Sequence, residues 1–178
     1  RFDNSWGNWR MGVQAAWIET YEVEVPNSGG GVTIFDGVGN YNSTNPVARP
    51  LPEWKVNASM SWSMDDHRVF ALLKYIDEVE SDVPAGTRGF FAGTARLAGN
   101  NSVADDLGDT KIESFTTLDV RYTYTFGELG ILNSSSFTLG VQNLLNEEAP
   151  NIAVVTAFDP RLHDGRGRVF FTRVSASM

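Results

Sequence analysis

From Glu53 onward the chain alternates without a fault. Trp54, Val56, Ala58, Met60, Trp62 and Met64 share one parity, and Glu53, Lys55, Asn57, Ser59, Ser61 and Ser63 share the other. A period of two puts the two sets on opposite faces of a β-strand. At about 3.4 Å per residue, Trp54 and Trp62 stand roughly 27 Å apart along such a strand. A tilt of about 40° reduces this to about 21 Å, close to the roughly 25 Å apolar band with aromatic edges that bounds outer-membrane barrels.

The same pattern recurs along the chain. After a turn over Asp3 to Asn8, the residues Trp9, Met11, Val13, Ala15, Trp17, Tyr21, Val23 and Val25 predict a strand of about 16 residues, far beyond the 5 or 6 common in globular proteins. Pro26 to Pro52 reads as a loop, broken by Gly29 to Gly31 and by Pro46, Pro50 and Pro52. Beyond the Leu51–Met64 segment, Asp65 to His67 form a tight polar turn into a strand from Arg68 to about Val79. Val69, Ala71, Leu73 and Tyr75 share one face there, and Phe70, Leu72 and Ile76 sit on the other. Glu80 to Thr110 reads as a second long loop. Lys111 to Phe126 then sets Leu118, Val120, Tyr122, Tyr124 and Phe126 against Thr117, Asp119, Arg121, Thr123 and Thr125.

A connection over Gly127 to Ser136 leads into Phe137, Leu139 and Val141, a strand ending around Gln142 to Asn146. Glu147 to Gly167 is a third long loop, and Arg168 to Met178 a closing strand. Six strands therefore alternate short and long connections, as outer-membrane barrels do with short periplasmic turns and long extracellular loops. The fold class expected is all-β: an antiparallel transmembrane barrel segment. A soluble β-sandwich also alternates, but loops of 20 to 30 residues are uncommon in compact soluble domains.

Composition sharpens this picture in three ways. No segment approaches the 18 consecutive apolar residues of a membrane-spanning helix, so a membrane would be crossed by a barrel. A net charge of −8 with a pI near 4.7 and no basic stripe argues against nucleic acid as a partner. The absence of cysteine removes disulfides and thiolate metal sites. The start carries no initiator Met and no signal-peptide pattern. Arg1, Phe2 and Asp3 look like the tail of an earlier strand, which makes the chain a piece of something longer.

Gln142-Asn143-Leu144-Leu145-Asn146-Glu147-Glu148-Ala149-Pro150, then Phe158-Asp159-Pro160, then Gly167-Arg168 opening a terminal strand, resembles the C-terminal end of TonB-dependent outer-membrane receptors. Leu-Pro-Glu-Trp-Lys at 51–55 and Phe115-Thr116-Thr117-Leu118-Asp119-Val120 are similar to other late strands of that family, so the resemblance covers most of the chain. Two departures stand out: Leu145 occupies an aromatic position, and Met178 stands where such barrels commonly end in Phe. The resemblance implies that residues 1–178 supply the last six strands of a plugged barrel of about 22 strands. The plug domain, the TonB-contacting segment and the earlier strands would lie outside the chain. It implies a transporter in the bacterial outer membrane, taking up a scarce ligand such as a siderophore, cobalamin or a carbohydrate. Its partners would be the rest of the barrel, the plug, the TonB system, outer-membrane lipid and the small-molecule ligand. Asn143, Leu144, Asp159, Pro160, Gly167 and Arg168 would be structural, with no cofactor, metal or catalytic residue.

The remaining chemistry is thin. His67 lies in a short turn, and His163, beside Asp159 and Asp164, would be the acid–base centre if the chain belonged to an outer-membrane barrel hydrolase. That is the competing reading, with a soluble β-sheet binding module as a third. A loop histidine beside Asp is more often solvated or locally hydrogen-bonded. Asp105, Asp106 and Asp109 lack the spacing of a calcium loop and read as a solvated acidic stretch. Arg10, Arg121 and Arg173 fall on the interior rows with Lys55, Asp119 and Glu22. Arg121, with the loop aromatics Tyr41, Phe90 and Phe91, is a candidate for ligand contact, the rings by stacking on flat or apolar ligand surfaces.

Overall fold

A computed structural model describes residues 2–43, 50–127 and 134–177. In chain order the elements are β1 (Phe2–Asn4), β2 (Gly7–Trp17), β3 (Glu22–Pro26), β4 (Val32–Asp36), β5 (Trp54–Met64), β6 (His67–Ile76) and β7 (Val79–Glu80). Helices α1 (Ala85–Leu97) and α2 (Asn101–Gly108) follow, then β8 (Lys111–Ile112), β9 (Phe115–Phe126), β10 (Ser134–Gln142) and β11 (Val169–Ser177). Among the described residues, seven strands form one antiparallel sheet in the order β1-β2-β5-β6-β9-β10-β11. Each long strand pairs with its neighbour in the sheet, so the sheet is a meander. Among the described residues it does not close, because β1 and β11 each have one partner.

The register aligns the alternating rows from strand to strand. Met11 faces Met60, Met60 faces Ala71, Ala71 faces Val120, Val120 faces Val141 and Val141 faces Phe170. Trp9, Trp62, Val69, Tyr122, Leu139 and Thr172 form the next such row. One face is therefore apolar across the whole sheet, and a slip of one residue anywhere would turn a strand's apolar set to the wrong side. That face is bare: Met11, Val13, Leu139, Phe170 and Val174 are exposed, the last by 76%.

Aromatic residues edge this face at both ends. Near the short turns Trp9 and Trp62 pack with centroids 6.2 Å apart, and His67 lies 5.9 Å from Tyr122 and 5.0 Å from Tyr124. At the opposite end Trp17 stacks on Trp54, and the Tyr75 hydroxyl donates to Asp77 Oδ1 at 2.6 Å. Each tryptophan pair also finds a polar partner. Trp62 Nε1 donates to the Trp6 carbonyl at 2.7 Å, and Trp17 Nε1 donates to Glu53 Oε1 at 2.9 Å. Rings with an apolar body and a polar tip suit a boundary between oil and water.

The hydrophobic core lies in the long connections, not under the sheet. Tyr41 from the first connection, Val79, Val83, Ala92, Leu107 and Ile112 from the second, and Ile152 and Ala153 from the third are all buried together. Phe91, Ala95, Val103 and Val154 pack against them. Three segments far apart in sequence thus form one layer at one end of the sheet.

Several expected boundaries change. The first strand does not run to Val25. It leaves the sheet after Trp17. Val23 and Val25 belong to the hairpin β3–β4, with Tyr21 just before it, and the hairpin's turn is held by Asn27 Oδ1 accepting from the amides of Gly29 and Gly31 at 3.1 and 2.9 Å. Glu22 is therefore not on the sheet's polar face. The stretch Glu80 to Thr110 is not irregular: it carries α1 and α2, clasped by Arg96 Nη2 donating to Asp105 Oδ1 at 2.9 Å. Lys111 and Ile112 pair with β7 rather than continuing β9. His67 opens β6 on the apolar face, so the turn is only Asp65-Asp66, with Asp65 at φ 49°, a conformation Asp tolerates. Residues 2–4 do pair as a strand with β2. Arg1, Met178, Pro46 and the middle of the Gly127–Ser136 connection lie outside the described residues.

Candidate functional site

Two places gather polar chemistry: the rim where the third long connection meets the loop layer, and the polar face of the sheet. At the rim, Asp159 is only 2% exposed yet fully engaged. Its Oδ1 accepts from the Arg161 amide at 2.8 Å and from Arg161 Nε at 2.9 Å, and its Oδ2 accepts from Arg161 Nη2 at 2.5 Å. The Tyr41 hydroxyl donates to the same carboxylate from the first connection. Its backbone carbonyl accepts from the amides of Leu162 and His163 at 3.0 and 2.9 Å. Burial pushes this carboxyl up, but Arg161 and Tyr41 outweigh burial and leave it below the usual carboxylate range. Tyr41 moves the other way: burial and the neighbouring Asp159 charge push its hydroxyl up to about 12.

His163 is enclosed beside this knot, 3% exposed, with its ring edge-on to Phe115 at 5.2 Å and no partner for Nδ1 among the described residues. Burial, helped by the Lys55 charge, lowers it to about 4 against the opposing pull of Asp159. The expectation of a solvated or locally hydrogen-bonded loop histidine is overturned. The Asp beside it is spent on Arg161 and Tyr41, an arrangement that holds a loop in place.

Where β10 ends, Asn143 adopts φ 50° and is buried. Its Nδ2 donates to the Glu147 carbonyl at 2.8 Å, its Oδ1 accepts from the Glu147 amide at 3.0 Å, and its own amide donates to Asp119 Oδ1 at 2.9 Å. Asp119 also takes Lys74 Nζ at 2.8 Å, so one carboxylate ties β6, β9 and the end of β10. The Leu144 amide donates to the Leu118 carbonyl at 2.7 Å, while its half-exposed side chain joins Val120, Leu139 and Phe170 on the apolar face. Asn146 Oδ1 accepts from the Arg168 amide at 3.3 Å across Gly167, whose φ of 62° favours glycine. Pro160 is exposed. Between this rim and the third connection lies a pocket of about 140 Å³, lined by the ion pairs Lys74–Asp119 and Asp164–Arg166 with Phe115 and Leu162.

No protein-family model, curated protein or solved structure matches this chain.

The polar face carries Arg10 on β2, Lys55 on β5, Arg68 and Lys74 on β6, Asp119 and Arg121 on β9, and Arg173 on β11. Arg121 lies over the Phe70 ring, 4.4 Å from its centroid, a favourable cation–π placement. Two hollows of about 520 and 530 Å³ adjoin here. Arg10, Arg68 and Arg121 line one with the hydroxyls of Ser59, Ser61 and Ser63; Arg68, Arg121 and Arg173 line the other with Thr123 and Thr138.

The candidates for ligand contact are scattered. Arg121 is exposed on this polar face. Tyr41 is a core residue, 4% exposed, with its hydroxyl on Asp159, so it offers no stacking surface to a ligand. Phe90 and Phe91 meet edge-on at 5.6 Å on α1, Phe90 exposed and Phe91 turned towards the loop core. Of the acidic stretch, Asp105 pairs with Arg96, Asp106 accepts from Asn151 at 3.0 Å, and Asp109 accepts from the Thr110 amide at 2.6 Å. The residue pattern does not single out Arg68, Lys74 or Arg161 as site residues. Arg68 and Lys74 share the parity of Phe70, Leu72 and Ile76, which disguised the polar side of β6.

Proposed function

We propose that this chain is the C-terminal portion of a TonB-dependent outer-membrane receptor barrel that takes up a scarce ligand by energised transport. The carrying observation is the continuous apolar face, exposed across the six long strands and edged by Trp9–Trp62 at one end and Trp17–Trp54 at the other. An apolar sheet face that nothing covers needs either a core or hydrocarbon against it. The aromatic edges and the polar opposite face favour hydrocarbon on one side and water on the other. The unpaired edge of β11, and that of β2 beyond its short pairing with β1, favour further strands, since open edges in hydrocarbon would leave backbone groups unsatisfied at several kcal/mol each.

In this reading the packed long connections form the outer cap, and the Asn143 and Asp159 knots hold the third connection to the rim. The polar face is the wall of an aqueous interior that a plug would share with the cargo. Transport, the plug and the TonB system come from the family resemblance alone. Two observations test the reading. Fractionation of cells carrying the full protein should recover it with the outer membrane, in need of detergent to dissolve. The coding sequence upstream should encode a plug and a short TonB-contacting segment. Recovery from the soluble fraction, or an upstream region without a plug, would overturn it.

A further inference from the structure

We propose that the polar face binds small anionic solutes carrying two or more carboxylate or phosphate groups, held by Arg10, Arg68, Arg121 and Arg173 over the two adjoining hollows. The proposal rests on the barrel reading and names the class of cargo its interior takes.

The distribution of charge carries the argument. The chain as a whole is acidic, at −8, yet the polar positions of β2, β5, β6, β9, β10 and β11 hold Arg10, Lys55, Arg68, Lys74, Arg121 and Arg173 against the single carboxylate of Asp119. That carboxylate is already closed on Lys74. Acid for pairing exists in the chain and is used elsewhere: Arg96, Arg161 and Arg166 each hold a carboxylate at 2.5 to 2.9 Å. Among the described residues, no carboxylate lines either hollow or lies within ion-pair distance of Arg10, Arg68, Arg121 or Arg173.

The register gathers these arginines. Arg10, Ser61, Phe70 and Arg121 lie in one cross-strand row, and Ser63, Arg68, Thr123, Thr138 and Arg173 lie in the next. Arg68 and Arg121 are diagonal neighbours on adjacent strands, about 7 to 8 Å apart at the backbone, and both hollows share them. Guanidinium groups present paired N–H donors matched to the two oxygens of a carboxylate or phosphate. The hydroxyls of Ser61 and Ser63 add neutral donors beside them. A solute with two anionic groups can bridge the hollows through the shared pair, and a neutral sugar gains nothing from the four charges.

Isothermal titration of citrate and of inorganic pyrophosphate into the protein in a non-ionic detergent, at low ionic strength, tests this. At least one of the two should bind, with affinity falling as chloride is raised, while glucose gives no heat. Arg68→Gln combined with Arg121→Gln should weaken the binding by tenfold or more. Arg173→Gln, which lines only one of the two hollows, should weaken it by a smaller factor. Arg96→Gln, whose partner is Asp105 on the loop layer, should leave it unchanged. No heat from either anion, or equal losses in the Arg96 and Arg68/Arg121 variants, would overturn the anion site in a protein that still needs detergent and keeps its β-sheet circular dichroism. Failure of the barrel reading would appear separately, as solubility without detergent.

Discussion

Trp17 and Trp54 lie ring on ring across β2 and β5, centroids 5.9 Å apart and planes inclined by 23°, at the end of the sheet where the long connections begin. Below them Val13 faces Ala58 and Met11 faces Met60 on the same exposed surface, while Gln14 and Asn57 point the other way. If this surface meets acyl chains, parity along a single strand decides the cost of a charge. Val13→Arg should destabilise the bilayer-inserted protein by about 2–4 kcal/mol. Gln14→Arg, one residue further on, should change it by no more than about 0.5 kcal/mol. Urea titration of the protein refolded in phosphatidylcholine vesicles measures both.

The knot around Asp159 predicts a loop layer that weakens in acid. The folded state holds His163 neutral, at about 4, well below the usual value near 6.5. Stability from this group is complete above about pH 6.5 and is lost as pH falls towards 4, in total of the order of 3 kcal/mol. Asp159, held below its usual range, contributes in the same sense, with stability present above about pH 4 and lost below it. The protection factors of the amides over residues 151–163, measured against the intrinsic exchange rate at each pH, should therefore fall between pH 7 and pH 4. His163→Leu should abolish the part of that change lying above pH 4.

Removing the carboxylate at neutral pH should open the same layer. Asp159→Asn takes the charge from the Arg161 fork and from the Tyr41 hydroxyl, and charged hydrogen bonds of this kind contribute about 1.5–3 kcal/mol each. Arg161 is half exposed and rehydrates, which keeps the loss near the lower end. Limited proteolysis should cut the 151–166 region of the variant faster, while the strands stay protected.

Gly140 sits under the Phe171 ring, and a methyl group there would collide with it. The far end of the ring lies over Gly140 on the polar face, in space that a Cβ would take. Gly140→Ala should cost about 1–3 kcal/mol through overpacking. Phe171→Ala should lower that penalty markedly when combined with it, and thermal unfolding of the single and double variants measures the coupling.

Asn143 has two separable roles. Its φ of 50° is a backbone demand, and its amide bridges both ways to Glu147. Asn143→Gly keeps the first and loses the second, whereas Asn143→Ala loses both. The Ala variant should be the less stable by about 1 kcal/mol in denaturant unfolding.

The sheet was legible wherever alternation was clean. Trp54 to Met64 and Leu118 to Phe126 needed only parity to place their faces. Parity failed at Tyr21, Val23 and Val25, because a separate hairpin alternates just as a continued strand does. The departure of Ile18, whose amide bonds the Glu53 carbonyl, leaves no mark in the residue pattern. Helix α1 was hidden by Gly86, Gly89 and Gly93, poor helix formers that packing against the loop core overrides. The Asp159 knot joins Tyr41 to Arg161 across more than a hundred residues, a pairing that no local spacing encodes. Around Asn143 the bonds to Glu147 and Asp119 follow from a positive φ and from strand pairing, which the residue pattern alone does not display.

The central claim is that alternate residues of these strands face lipid and water. Nitroxide labels placed singly at Val56 and Asn57, neighbours on β5, test it most directly when their collisions with oxygen and with a water-soluble nickel chelate are compared in vesicles. The account predicts oxygen-dominated relaxation at 56 and chelate-dominated relaxation at 57. Equal accessibility at the two sites, or shielding of the label at 56 from both reagents in a detergent-free buffer, would contradict it.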